Sequence, residues 1–180
     1  MDAVVLDGSG MKRTLGRMAH EILESNQGAD NLVVVGILRR GYPVAQRLAF
    51  MMTQIEGSPV LCGKLDVTHF RDDRADEGED RSEIPFRVND KSVILVDEVV
   101  FTGRTVRAAM ESLLKFGRPS RIQLAVLIDR GHRELPIQPD FVGKTVETAF
   151  GDHIVVTMPE DDTEESVTLV HAQDREAART

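Results

Sequence analysis

The chain has 180 residues, a length that suits one domain, and its 41% hydrophobic content with only 4% aromatics and no Trp predicts a core of Val, Leu, Ile and Met. Cys62 is the only cysteine, which excludes an intrachain disulfide and a four-cysteine zinc site and suits a reducing cytoplasm. A net charge of −8 argues against a general nucleic-acid binder, no apolar run approaches the ~20 residues of a membrane span, and the N-terminus lacks a signal-peptide pattern.

The charge is uneven. Residues 72–83 and 160–165 are acidic, whereas 12–20 and 130–144 are locally basic, so a nucleic-acid partner stays open. In chain order, residues 11–26 read as an amphipathic helix with Leu15, Met18 and Ile22 on one face and Arg13, Arg17 and His20 on the other, capped by Ser9. Residues 32–35 form a continuous apolar run, as in a strand buried on both faces. Pro43 fits the first turn of a helix reaching about Met52, and 60–70 reads as extended. Residues 71–90 are acidic and aperiodic, as in a flexible loop. A strand over 92–96, a helix over 104–116 and a strand over 123–128 follow. This alternation predicts an α/β fold with a mostly parallel sheet flanked by helices. The expected division is one domain over 1–158, then a partly disordered acidic segment over 159–180 carrying a strand at 166–170.

The most informative segment is Ser92-Val-Ile-Leu-Val-Asp-Glu-Val-Val-Phe-Thr-Gly-Arg-Thr105. Asp97 and Glu98 leave the carboxyl end of a strand, where open α/β sheets bind ligands. Two adjacent carboxylates can accept hydrogen bonds from the vicinal hydroxyls of a ribose. The turn that follows opens a helix, whose free N–H groups and dipole favour a phosphate. Gly103 lets the backbone come close to it, and Thr102 and Thr105 add hydroxyls. The Gly-Lys-Ser/Thr ending of a P-loop is missing. A second basic turn, Gly36-Ile-Leu-Arg-Arg-Gly41, lies between a strand and a helix, and two arginines between glycines suit a pyrophosphate.

The acid-pair segment resembles the phosphoribosyl-pyrophosphate motif of type I phosphoribosyltransferases. Most of residues 4–144 resembles one family of these, the PyrR regulators of pyrimidine operons that are also uracil phosphoribosyltransferases. The resemblance rests further on Arg17-Met-Ala-His-Glu21, the Gly36–Gly41 turn, Leu65-Asp-Val-Thr68 with Arg71-Asp-Asp73, Gly117-Arg-Pro119 and, most specifically, Gln123-Leu-Ala-Val-Leu-Ile-Asp-Arg-Gly-His-Arg-Glu-Leu-Pro-Ile137. It fades after Lys144.

The resemblance implies a type I phosphoribosyltransferase fold and transfer of phosphoribosyl from phosphoribosyl pyrophosphate (PRPP) to uracil, giving UMP and pyrophosphate. Mg²⁺ would be held through the substrate, with no dedicated protein site. It implies Asp97, Glu98 and Arg40 as catalytic residues, and PRPP or UMP contacts from Arg39, Arg40, Val99, Val100, Phe101, Thr102, Gly103, Arg104 and Thr105. Arg130 and Ile154 would lie near the base. The loop after Phe70 would close over the site and supply a cation from Arg71, Arg74 or Arg81, with Arg81 preferred, and the turn at Arg39 would contain a cis peptide. The family's second activity implies transcription attenuation through leader mRNA, contacted here by Arg17, His20, His132, Arg133 and Lys144. A homodimer or higher oligomer is expected, without a membrane partner. A uracil transferase that has lost RNA binding, and a nucleotide sensor with little catalysis, are the alternatives. This chain departs from the pattern at Gly16, Arg39, Gln138 and across 145–151, and Glu98 stands where Asp is usual.

Overall fold

The computed structural model describes residues 3–72, 78–160 and 164–177. The elements are β1 (Ala3–Asp7), α1 (Gly8–Asn26), β2 (Leu32–Ile37), α2 (Gly41–Glu56), β3 (Leu61–Leu65), β4 (Ser92–Val100), α3 (Arg104–Leu113), β5 (Arg121–Asp129), β6 (Phe141–Thr145), β7 (His153–Thr157), β8 (Ser166–Val170) and α4 (Ala172–Ala177). Five strands pair in parallel in the order β3-β2-β4-β5-β6, and β1-β8-β7 make a smaller antiparallel sheet. No helix among the described residues is long and apolar enough to cross a membrane.

Period-two alternation explains the layering. Ile94 and Val96 of β4 face a core shared with Leu15, Met18 and Ile22 of α1 and Leu48 and Met52 of α2. Val93 and Leu95 face the opposite core with Val106, Ala109 and Leu113 of α3. Side chains on successive residues point to opposite faces, so a central strand needs apolar residues at every position.

Several boundaries move. The cap of α1 is Asp7 rather than Ser9: its Oδ1 accepts from the Gly10 N–H at 2.6 Å and from the Ser9 hydroxyl at 2.9 Å. A carboxylate satisfies two donors there and also suits the positive end of the helix. The extended run expected over 60–70 ends at Leu65, because the Asp66 carboxylate accepts from the N–H and hydroxyl of Thr68 and turns the chain into a 3₁₀ turn at Thr68–Phe70. Helix α3 stops at Leu113 and tightens into a 3₁₀ turn over Leu114–Phe116. Within the acidic stretch, Lys64 and Glu83 exchange backbone hydrogen bonds at 2.9 Å and Val88 is fully buried. The acidic C-terminal segment supplies β8 at the predicted positions, the middle strand of the small sheet, with Val167 buried. Arg47 of α2 fastens this sheet through Glu160, at 2.9 and 3.0 Å, and Glu165.

The start of α2 lies almost in contact with β4. A Cβ on Gly41 would come within 2.7 Å of the Val96 carbonyl and 3.0 Å of Asp97 Cα, and one on Gly36 within 2.5 Å of Tyr42 Cα. Gly36→Ala is therefore expected to destabilise the protein by ~1–3 kcal/mol, the usual range for overpacking against backbone. Gly16→Ala, where the added methyl meets nothing within 4 Å, should hold or gain ~0.5–1 kcal/mol as a mid-helix glycine replacement. Denaturant midpoints of the two variants check both signs.

Candidate active site

Strand β4 is buried through Asp97 and emerges at Glu98, which is half-buried. Asp97 is only 5% exposed, and its Oδ1 accepts the Glu98 N–H at 2.9 Å. Burial, and then the neighbouring Glu98 charge, push the Asp97 carboxyl well above the usual carboxylate range. Beyond it the chain bends at Gly103, whose φ of 93° ends the strand-to-helix turn, and α3 begins. The Arg104 N–H donates to the Thr102 hydroxyl at 3.3 Å.

This turn walls a cleft of about 300 Å³, lined by residues 99–106 with Asp97, Arg71, Glu134 and Phe150. Val99, Val100, Phe101, Thr102, Gly103, Arg104 and Thr105 are thus brought together with Asp97 as the sequence suggested. Arg71 reaches in, its Nη1 donating to the Thr105 hydroxyl at 3.2 Å. Arg81, the cation preferred from sequence, is held elsewhere. Its Nε donates to Asp66 Oδ2 at 2.8 Å beside a second hollow with Thr68 and His69. Arg74 lies outside the described residues. Arg104 is ion-paired to Asp72 and Glu134, each at 2.9 Å.

In the basic turn the Leu38–Arg39 peptide is cis. Arg40 donates to the Val156 carbonyl at 2.6 Å, tying the turn to β7, while exposed Arg39 borders a shallow depression with Tyr42, Gln46 and Lys64. Arg130 is 6% exposed and braces the loop after β6, donating to Thr148 Oγ1 and the carbonyls of Ala149 and Phe150 at 3.2–3.3 Å with its guanidinium 4.0 Å from the centre of the Phe101 ring. Ile154 sits in β7 opposite Leu169, packed on the core; the apolar side chain at the cleft from this region is Phe150, 65% exposed. Nothing periodic in sequence marks Phe150 or Arg71. Only the return of β5 and β6 beside β4 brings Phe150 to the turn, where its ring centre lies 5.4 Å from that of Phe101.

The basic residues outside the cleft fall into two groups. On α1, Arg17 donates to Glu21 at 2.7 Å and to the carbonyls of Val142, at 3.3 Å, and Gly143 of β6, while His20 is exposed one turn on. Lys144 of β6 donates to the Val5 carbonyl at 3.2 Å. After β5, His132 Nε2 lies 2.7 Å from the Thr148 carbonyl, and Arg133 Nη2 pairs with Asp129 at 2.6 Å.

A parallel sheet ending in a buried acid, a glycine turn and a helix start, with the start of α2 packed against that acid, is the arrangement of a phosphoribosyltransferase. The chain matches the phosphoribosyl transferase domain family across residues 4–161. Within that class it belongs to the PyrR family. It is 53% identical over 172 residues to a bifunctional protein PyrR of Pelotomaculum thermopropionicum, covering 93% of this chain and 95% of the relative. It is 51% identical over 171 residues to that of Limosilactobacillus fermentum, covering 92% and 96%. Among solved structures it resembles the Trypanosoma cruzi hypoxanthine phosphoribosyltransferase in complex with the product IMP, with a TM-score of 0.72 at 17% identity, covering 98% of this chain and 96% of that one. A Staphylococcus aureus hypoxanthine phosphoribosyltransferase aligns with a TM-score of 0.70 at 17% identity, covering 96% and 94%. At that identity the likeness speaks for the fold.

The raised Asp97 pKa has a stability consequence. A carboxyl that binds its proton more tightly folded than unfolded adds no penalty below the unfolded pKa of ~3.9, and its penalty grows as pH rises toward the folded value. Asp97→Asn is expected to raise the melting temperature at neutral pH, the gain shrinking toward pH ~4, while activity falls. Thermal melts across pH check it.

Proposed function

We propose that this protein transfers the phosphoribosyl group of PRPP to uracil, giving UMP and pyrophosphate, and that with UMP bound it regulates a pyrimidine operon by binding leader mRNA and promoting transcription attenuation. The observation that carries the catalytic half is the cleft in which buried Asp97 meets the open turn of residues 99–106. Asp97 and Glu98 accept hydrogen bonds from the ribose hydroxyls. The first-turn N–H groups of α3, with Thr102 and Thr105, hold the 5′-phosphate. Arg39 and Arg40 neutralise the pyrophosphate, and Phe150 offers an apolar face to the base in the place first assigned to Ile154, with Arg130 fixing the loop that carries it.

Transfer breaks the C1′–pyrophosphate bond and forms the bond from C1′ to the uracil nitrogen, through a positively charged ribosyl centre, and the N–H proton of that nitrogen leaves to the departing pyrophosphate or to water. The chain then needs donors and cations at the leaving group and a dry, positioned ribose, more than proton-transfer groups. Among the described residues no three His, Cys, Asp or Glu side chains converge as a metal cage. Mg²⁺ keeps waters and binds through substrate phosphates with one or two carboxylates. Asp97 and Glu98 are the candidates, and the ion would neutralise the departing pyrophosphate.

Arg17, His20 and Lys144 on α1 and β6, with His132 and Arg133 after β5, are the proposed RNA contacts. The working form is a cytoplasmic homodimer or higher oligomer, a reading that exposed Phe50 and Leu61 support. The second reading is a transferase without RNA binding. It is favoured by one observation: Arg17, His132, Arg133 and Lys144 already hydrogen-bond backbone carbonyls.

A uracil transferase assay with and without Mg²⁺, beside a gel shift with the pyrimidine-operon leader RNA, separates the two readings. Arg71→Ala is expected to raise the KM for PRPP about tenfold, the loss of one charge-assisted contact at ~1.5 kcal/mol, and Arg81→Ala to raise it less. Equal effects would remove Arg71 from the phosphate site. Glu98→Asp should raise kcat, because the extra methylene of Glu overreaches a hydroxyl placed for Asp and a ~1 Å misplacement can slow a reaction ~100-fold. UMP affinity should change little, and titration of both forms measures it. His20→Ala should weaken RNA binding. An unchanged gel shift favours the transferase-only reading.

A further inference from the structure

The loop that carries Phe150 to the cleft is held from two sides. From the parallel sheet, Arg130 Nη2 donates to the carbonyls of Ala149 and Phe150, at 3.2 and 3.3 Å. From the other side, buried Asp152 gathers donors from both the loop and the C-terminal segment. Its Oδ2 accepts the Ala149 N–H at 2.9 Å, and its own N–H donates to the Ala149 carbonyl at 3.1 Å. Its Oδ1 accepts the N–H of Ala172, the first residue of α4, at 3.2 Å, and His171 Nδ1 lies 3.4 Å from Oδ2. Loop and segment approach closely here: a Cβ on Gly151 would come within 3.2 Å of the Ala172 Cβ. Asp152, His171 and Ala172 do not line the cleft themselves.

We infer that Asp152 is a positioning residue for the base: it ties the Phe150 loop to the start of α4, so that the C-terminal segment, outside the cleft, sets the place of the Phe150 ring and with it the affinity for the base. This rests on the proposed function, in which Phe150 faces the base. Phe150 is exposed and lies between β6 and β7, so the hydrogen bonds of its own loop must place its ring. Asp152 and Arg130 together engage three successive peptide units, from Thr148 to Gly151. A ring already placed costs less to order when a ligand arrives, and that saving appears as affinity. The two braces also depend on each other. The Ala149 N–H, and then Ala172 and His171, hold the Asp152 carboxyl below the usual carboxylate range against its burial, so it is charged at neutral pH. Burial lowers the Arg130 pKa, and the Asp152 charge works against that. Removing the carboxylate therefore leaves a buried guanidinium less well balanced and loosens both sides of the loop.

The test titrates the full chain, with Mg²⁺ present, with UMP, which carries the base, and with PRPP, which does not. Asp152→Ala should weaken UMP about tenfold, the scale of one aromatic platform under a base, and change PRPP by less than about twofold. Ala172→Pro leaves Asp152 in place and deletes the N–H it accepts, at a first helical position that suits proline. It should weaken UMP in the same direction and leave PRPP unchanged. Phe150→Ala should weaken UMP as Asp152→Ala does. The double variant should bind UMP no worse than Phe150→Ala alone, because Asp152 acts through that ring. An equal loss for UMP and PRPP in Asp152→Ala, no loss for UMP, or a further loss in the double variant overturns the positioning role and leaves the transferase reading standing. Where Asp152→Ala does not fold, unchanged UMP affinity in Ala172→Pro overturns it instead. Wild-type UMP affinity in Phe150→Ala takes the ring away from the base, and the inference falls with that part of the proposed function. A wild-type protein that binds neither UMP nor PRPP refutes the proposed function itself, and the inference with it.

Discussion

The site depends on one close approach, that of the start of α2 to the end of β4. Gly41 lets the start of α2 lie against the Val96 carbonyl and Asp97 with no side chain between them, and Gly36 of β2 lets that start close on its own strand at Tyr42. That contact sets the two-arginine turn and the buried acid at a fixed separation. It also excludes water from one side of Asp97, which is why this carboxyl is held against its charged form while its neighbour Glu98 reaches the surface. A Cβ at either glycine would meet backbone, which cannot rotate away as a side chain could.

Two aspartates at the ends of adjacent stretches show how context divides one residue type between tasks. Asp66, after β3, is as buried as Asp97. Burial works to raise its pKa, but hydrogen bonds from Thr68 and Arg81 outweigh it and bring the carboxyl to about 2. Its charge is satisfied within the chain, and it stabilises the fold above the unfolded pKa of ~3.9, a contribution lost as pH falls toward 2. Asp66 also links layers: its carbonyl accepts from Ser112 of α3 at 3.0 Å and its N–H donates to Ser82 at 2.8 Å. Among the described residues Asp97 has no comparable set of donors, so its desolvated carboxyl is a destabilising feature of the folded chain. Strain of that kind is expected where a site is built for a ligand.

The two sheets divide the remaining labour. The parallel sheet presents the turn at its carboxyl edge. The antiparallel sheet, fastened by Arg47 to Glu160 and Glu165, supplies the Val156 carbonyl that holds Arg40. Between them runs the loop with Thr148 and Phe150, braced by Arg130. A buried arginine must spend its donors on internal acceptors. Arg130 does so on this loop, through Thr148, Ala149 and Phe150.

The sequence alone was sufficient for the alternation of strands and helices, for the core face of α1 and for the cleft-forming run from Val99 to Thr105, because these rest on periodicity and on residues adjacent in the chain. It was sufficient, too, for the strand at Ser166–Val170, though not for that strand's place between β1 and β7. Tertiary structure decided what adjacency cannot encode. Arg71 and Arg81 have the same chemistry ten residues apart in one acidic stretch; only the position of Asp66 beneath one and Thr105 beside the other assigns them. Ile154 was the apolar residue expected near the base and Phe150 carried no signal, yet the pairing of β7 with β8 packs the first on the core while the loop before it delivers the second to the cleft. Local rules follow from the geometry of a few neighbouring residues, whereas the partner of a long polar side chain depends on which strands the whole sheet has brought side by side.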